Sequence, residues 1–299
     1  MSTNILAKIK SRVEQFPPRI VLLGMEGIGK TTLAASTPSP LFIAAENGLT
    51  GFDSIPHLEP ETFSEVLSLC DALLSADSIE YKTIVIDTAD WMERLIHAHI
   101  CKRDGKDNVE AYGFGKGLKI AEQELVLLLS KLDSIRQKHG VYILITSHVQ
   151  IRTFNDPSGD SWDRYEMKGA KGFAGILREW PDATLFAVYE VFKLKNKDGG
   201  KDRTAGGERI MHTTWSPAHD AKNRLNLPEV LPLSWEALHQ AIEDGSPTRL
   251  RDQYVALLKT ADMPATDREK WAKVDVTSLP PDRVKGGIAK LKSLQPKTK

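Results

Sequence analysis

The chain has 299 residues, 41% of them hydrophobic, with 40 Lys plus Arg against 40 Asp plus Glu. That length can bury a full core, and the balanced charge excludes a global field drawing the protein toward nucleic acid or membrane, so any polyanion site must be local. No apolar run approaches the roughly 18 residues of a membrane span and no signal-peptide pattern opens the sequence. The two cysteines, Cys70 and Cys101, have neither metal-ligand nor disulfide-framework spacing, so a cytoplasmic location is expected.

In chain order, the first expected strand is Arg19 to Leu23. It runs directly into Gly24-Met25-Glu26-Gly27-Ile28-Gly29-Lys30-Thr31, which fits the P-loop pattern G-x-x-x-x-G-K-[ST] between a strand and a helix. Backbone N–H groups of such a loop, with Thr32 following, wrap a phosphate chain. Lys30 sets a positive charge against the outer phosphates, and the Thr31 hydroxyl completes a Mg²⁺ shell. The second strand, Leu41 to Ala45, ends at Glu46, a candidate base or water-orienting group; a solvated strand-end carboxylate is the competing reading.

Phe63, Val66, Leu67, Cys70, Leu73 and Leu74 recur at three and four residues, as in a helix packed on a sheet. The β-branched run Thr83 to Ile86 then delivers Asp87 to a strand tip, where a Walker B carboxylate would hold Mg²⁺ through water. A plain helix cap is the alternative for Asp87, and Asp90 stands three residues on with at most a minor part. A buried helix is expected over Ile120 to Leu132, and a strand over Val141 to Thr146 that carries His148 to the same sheet edge. There it can hydrogen-bond the γ-phosphate and sense its loss, or serve only as a satisfied polar group.

Alternating βα units of this kind predict an α/β fold, a mostly parallel sheet flanked by helices with ligands at the carboxyl ends of its strands. Further strands are expected at Ala183 to Val188 and Glu208 to Thr214, and short helices at Arg249 to Thr260 and Arg283 to Leu294. Asp244-Gly-Ser-Pro247 marks an expected boundary near Gly245, between a core of residues 1–245 and a small basic helical segment, 246–299. From Pro280 onward six basic residues face only Asp282, a surface for DNA or a solvated helix face and tail. Neither Asn196-Lys-Asp-Gly199 nor Asp87-Thr-Ala-Asp90 meets the N-K-x-D and D-x-x-G requirements of Ras-type GTPases, so ATP with Mg²⁺ is the expected cofactor.

The order P-loop helix, strand ending in glutamate, strand ending in aspartate, strand ending in a polar sensor resembles the RecA-type recombinase core over about Arg19 to Ala241. In particular it resembles the phage-encoded, core-only relatives of RecA that act as single-strand annealing or recombination ATPases. The resemblance implies Glu46 as water activator and places His148 where those enzymes carry a sensor, usually glutamine. Lys222-Asn223-Arg224-Leu225 is similar to the K-N-R-F-G element of hexameric RecA-like helicases and RadA-type proteins, with Leu225-Asn226 in place of Phe-Gly. There the basic pair reaches a neighbour's ATP, so the likeness implies catalytic Lys222 and Arg224 acting in trans within a homo-oligomer, filament or ring. A plain surface pair is the alternative.

The same resemblance implies single-stranded DNA as partner, held by two mobile loops, and admits a single-strand-binding protein as a further one. The first loop would span Cys101 to Lys116, with Lys102, Arg103, Lys106 and Lys116 for phosphates and Tyr112 and Phe114 for base stacking. The second would carry Arg152, Phe154, Trp162, Arg164, Tyr165, Lys168 and Lys171, although four basic residues there face four acidic ones between Ile151 and Gly172. Ordinary surface loops are the alternative for both. The leading expectation is a DNA-dependent recombination or annealing ATPase in the cytoplasm, that of a bacterial host if phage-encoded. A RecA-like helicase is the first alternative, less favoured because no N-terminal domain is expected before Arg19. A nucleotide-gated loader with little hydrolysis is the second.

Overall fold

The computed structural model describes residues 14–194, 203–276 and 279–295. Contacts divide the chain into two compact units, Met1–Thr184 and Leu185–Lys299. In the first, strands β1 (Arg19–Gly24), β2 (Pro40–Ala44), β3 (His57–Leu58), β4 (Thr83–Asp87) and β5 (Tyr142–Phe154) form a parallel array in the order β1-β5-β4-β2-β3. Ile20, Val21, Leu22, Phe42, Ile43, Ile84 and Val85 are fully buried, as near-continuous apolar strands in a sheet covered on both faces must be. The expected mostly parallel sheet flanked by helices is what the chain forms.

Helix α1 (Lys30–Ala35) follows the P-loop, and α2 (Phe63–Ser75) opens on Thr62, whose side chain accepts from Glu65 N. Helices α3 (Ala89–Asp104), α4 (Lys116–His139) and α5 (Lys171–Glu179) complete the unit, with α4 packed against α2, α3 and α5. The base of β1 is pinned by Arg19, whose backbone N and guanidinium both bond Asp182, at 2.9 and 2.8 Å. The end that matters, Gly24, is thereby held from behind.

Both expected loops take regular structure over much of their length, residues 105–108, 113–115 and 155–161 apart. Cys101, Lys102 and Arg103 are the last turn of α3, which stops at Gly105 with φ 61; a 3-10 turn at Val109–Tyr112 then leads to α4, whose first residue is Lys116. The second is a hairpin: β5 continues past the sheet edge and pairs antiparallel with β6 (Trp162–Met167), from Val149↔Met167 to Phe154↔Trp162. The physical reason is aromatic packing, since the Phe154 and Trp162 rings lie 5.0 Å apart and the Arg164 guanidinium sits 5.7 Å from the Phe154 ring centre.

In the second unit β7 (Ala183–Leu194), β8 (Arg203–His212) and β10 (Val230–Pro232) pair antiparallel, β9 (Lys222–Asn223) pairs β7, and α6 is Trp235–Gly245. Helices α7 (Pro247–Thr260), α8 (Ala265–Ala272) and α9 (Pro281–Ser293) enclose an apolar cluster of their own around Leu250, Tyr254, Leu258, Val284, Ile288 and Leu291. α8 is absent from the sequence expectation. The Asn196–Gly199 stretch lies outside the described residues.

Candidate nucleotide-binding site

At the carboxyl end of β1 the chain turns through Gly27, φ 73, and Gly29, φ 110, and enters α1 at Lys30. Those angles lie in the region that glycine alone adopts without strain, which accounts for two of the glycines of the pattern. Ile28 is buried and anchors the loop from below, whereas Met25 projects into solvent. Lys30 is buried, its Nζ donating to the carbonyls of Gly24 at 3.1 Å and Met25 at 3.0 Å. Burial lowers its pKa, opposed by the negative charge of Asp87, Glu46, Asp90 and Glu26.

Three strand ends meet this loop. Asp87, at the tip of β4, accepts from the Thr31 hydroxyl at 2.8 Å and from the Thr146 hydroxyl of β5. Glu46, two residues beyond β2, donates its backbone N to the Asp87 carbonyl at 3.0 Å and accepts from the Thr88 hydroxyl at 3.1 Å. The Asp87–Thr88 peptide is cis. His148, on β5, is buried, and its Nδ1 lies 3.1 Å from Asp90 Oδ2 and 3.9 Å from Glu46 Oε2. Burial disfavours the Asp90 carboxylate, yet hydrogen bonds from the His148 ring and backbone and from Thr88 hold its pKa well below the usual range.

A cavity of about 430 Å³ results, lined by Glu26, Gly27, Gly29, Lys30, Thr31, Thr32, Glu46, Asp87, Thr88 and His148, together with Gly48, Thr50 and Phe52. That volume suits a small-molecule ligand. Thr31 and Asp87 present a hydroxyl and a carboxylate to one point, a hard-oxygen pair that fits Mg²⁺ completed by water and phosphate oxygens. The expected P-loop, Asp87, Glu46 and His148 therefore share one cleft. Gly48, Thr50 and Phe52 went unread in the sequence, where only their position just after Glu46 could have flagged them.

The other expected site residues belong to other elements. Lys222 and Arg224 belong to the second unit, where the Asn223 side chain bonds Leu225 N, Leu227 N and Leu227 O and shapes the turn. Arg224 is exposed. On the first expected DNA segment, Arg103 pairs with Asp104 and Glu124, at 2.8 and 2.6 Å, and the Tyr112 hydroxyl lies 2.8 Å from both the Ile100 carbonyl and Asp104. Lys102, Lys106, Phe114 and Lys116 remain exposed. On the hairpin, Arg164 is buried and Trp162 and Tyr165 are half-buried, while Arg152 and Phe154 are exposed, as is Lys171 at the start of α5; Lys168 Nζ lies 3.7 Å from Asp90.

A glycine-rich loop between strand and helix, a buried lysine at its end, and a hydroxyl and carboxylate poised for Mg²⁺ define a P-loop nucleoside triphosphatase. The family AAA_24, an AAA domain, matches residues 17–225. The chain belongs to that AAA-domain family. No curated protein matches it.

Proposed function

We propose that the protein is a RecA-like, DNA-dependent ATPase that binds single-stranded DNA as a homo-oligomer and promotes annealing or strand exchange in recombination. The observation that carries this reading is the position of Glu46. The acid reaches the cleft from β2, the strand beside β4, rather than from the residue after Asp87, which is Thr88. That is the arrangement implied by the RecA resemblance, with phage relatives as the kindred in mind. β5 lying between β1 and β4 supports it, because it brings His148 level with Gly24. DNA would engage the exposed Lys102, Lys106, Phe114 and Lys116 on one side, and Arg152 and Phe154 on the hairpin with Lys171 at the start of α5 on the other.

The test is ATP turnover with and without single-stranded DNA at low salt, where phosphate contacts are strongest. Stimulation by single strands and not by duplex is the expected result; turnover indifferent to both removes the recombinase reading. For oligomer action, we propose that Lys222 and Arg224 act on a neighbour's nucleotide. Subunits lacking Lys30 but keeping Arg224 should then restore turnover to subunits lacking Arg224, and no recovery on mixing would refute action in trans. A second reading, a nucleotide-gated loader with little hydrolysis, is favoured by the hairpin, whose buried Arg164 and packed aromatics leave less surface for bases. We further propose that residues 246–299 act as a small basic helical domain, which its separate apolar cluster supports.

A further inference from the structure

Asp90 holds the group that faces the nucleotide, although neither the P-loop nor the Walker B pattern includes it. It sits in the first turn of α3, just inside the Thr88 cap, where the helix dipole favours a negative charge. Its side chain is 4% exposed and that of His148 is 9% exposed. The two carboxylate oxygens lie 3.2 and 3.1 Å from His148 Nδ1, and one lies 3.3 Å from the His148 backbone N. Lys168, whose backbone N bonds the His148 carbonyl at 2.9 Å, brings Nζ to 3.7 Å from the same carboxylate.

An ionised carboxylate can only accept, so Nδ1 must carry a hydrogen. Glu46, at 3.9 Å from Nδ1, is beyond hydrogen-bond distance and does not compete. We infer that Asp90 is a positioning residue that fixes the His148 ring with its hydrogen on Nδ1, so that Nε2 is offered to the nucleotide cleft as an acceptor. An acceptor cannot bond a phosphate oxygen, which has only lone pairs, but it can hold a water through one O–H. His148 is thus a water-holding group beside Glu46 rather than a direct γ-phosphate contact. This catalytic consequence rests on ATP hydrolysis in the cleft as proposed above; the ring's tautomer does not.

Two measurements on the full chain separate those levels. Nitrogen-15 NMR of the histidine rings, with His148→Ala identifying the signal, is expected to show hydrogen at Nδ1 of His148 and none at Nε2. In Asp90→Ala the ring should shift toward the Nε2–H form common in free histidine. Hydrogen on Nε2 in the unaltered protein, alone or together with hydrogen on Nδ1, overturns the inference whether or not it hydrolyses ATP. In turnover, Asp90→Ala should lower kcat at least about tenfold, as loss of an orienting partner does elsewhere, with KM little changed. Asp90→Asn, whose amide oxygen still accepts from Nδ1–H, should recover much of it, and circular dichroism on both variants checks folding.

The deciding step is the cycle: in a His148→Ala background, Asp90→Ala should cost nothing further. An undiminished loss there would mean that Asp90 acts on folding or on another group, and the inference fails. Loss of all turnover dependence on His148 with the Nδ1–H ring intact would instead fault the water-holding role while leaving Asp90's control of the ring standing.

Discussion

Around the cleft the buried positions include Lys30, Asp87, Thr88, Asp90, Thr146 and His148, whereas the cluster of α7, α8 and α9 buries Leu250, Tyr254, Leu258, Val284, Ile288 and Leu291. In the cluster each buried group contributes by leaving water, and its neighbours need only match its volume. In the cleft each buried group must be answered by a named partner, because an unpaired polar atom there costs about 1–3 kcal/mol, more than a made hydrogen bond contributes net. The contrast teaches where to look for chemistry: at polar side chains that the sheet keeps buried near its carboxyl edge, held by one another, at positions where apolar residues would pack without such demands.

Three substitutions test that contrast. The largest effect is expected for Lys30→Ala, which removes the charge facing the outer phosphates. ATP turnover should fall by a hundredfold or more, about the scale of losing a transition-state donor, with circular dichroism checking the fold. Retained turnover in a rate assay would place the phosphates elsewhere. Next comes Glu46→Gln, expected to cost turnover about a hundredfold while nucleotide binding persists, since it removes a proton acceptor and preserves shape. Unchanged turnover, measured beside a fluorescent-nucleotide titration, would remove Glu46 as the base.

The smallest effect on chemistry, and a sizeable one on stability, belongs to Leu291→Ala. Leu291 is fully buried in the helical cluster, and a cavity of this kind costs about 2–5 kcal/mol. Urea unfolding followed by tryptophan fluorescence should report an earlier transition of that cluster, with Trp271 beside it, and ATP affinity should hold. If affinity falls with stability, the two regions are one cooperative body and the contrast loses its force.

What the sequence made legible follows the same division. The apolar runs Ile20 to Leu23 and Thr83 to Ile86 could only be covered strands, and the glycines at 27 and 29 could only be a turn with positive φ. Hence the sheet, the P-loop and the sites of Asp87, Glu46 and His148 were readable. α3 was hidden because its buried face carries Asp90 and Glu93 among Met92, Ile96 and Ile100, which breaks the apolar stripe that announces a helix. Glu93 earns its place by accepting from Ala170 N at 3.1 Å, a contact no spacing rule displays.

The β5–β6 hairpin was hidden for a related reason. Of β6 only Arg164 and Met167 are buried, so an inward-facing arginine stood where alternation called for an apolar residue. Asp90 was read as a minor helper of Asp87 and set against a glycine-bearing GTPase pattern, and its partner His148 lies 58 positions away, a distance that the β4–β5 pairing closes.

β5 runs unbroken from Tyr142 to Phe154. Its first half is clamped in the sheet, His148 sits at the clamp's edge, and the rest extends outward with β6 alone for company. From His148 to Phe154 is six residues, about 20 Å at the rise of an extended strand. Residue 148 in the cleft and residue 154 at the hairpin's far end are thus rungs of one hydrogen-bonded strand, with no loop between the chemistry and that outer edge.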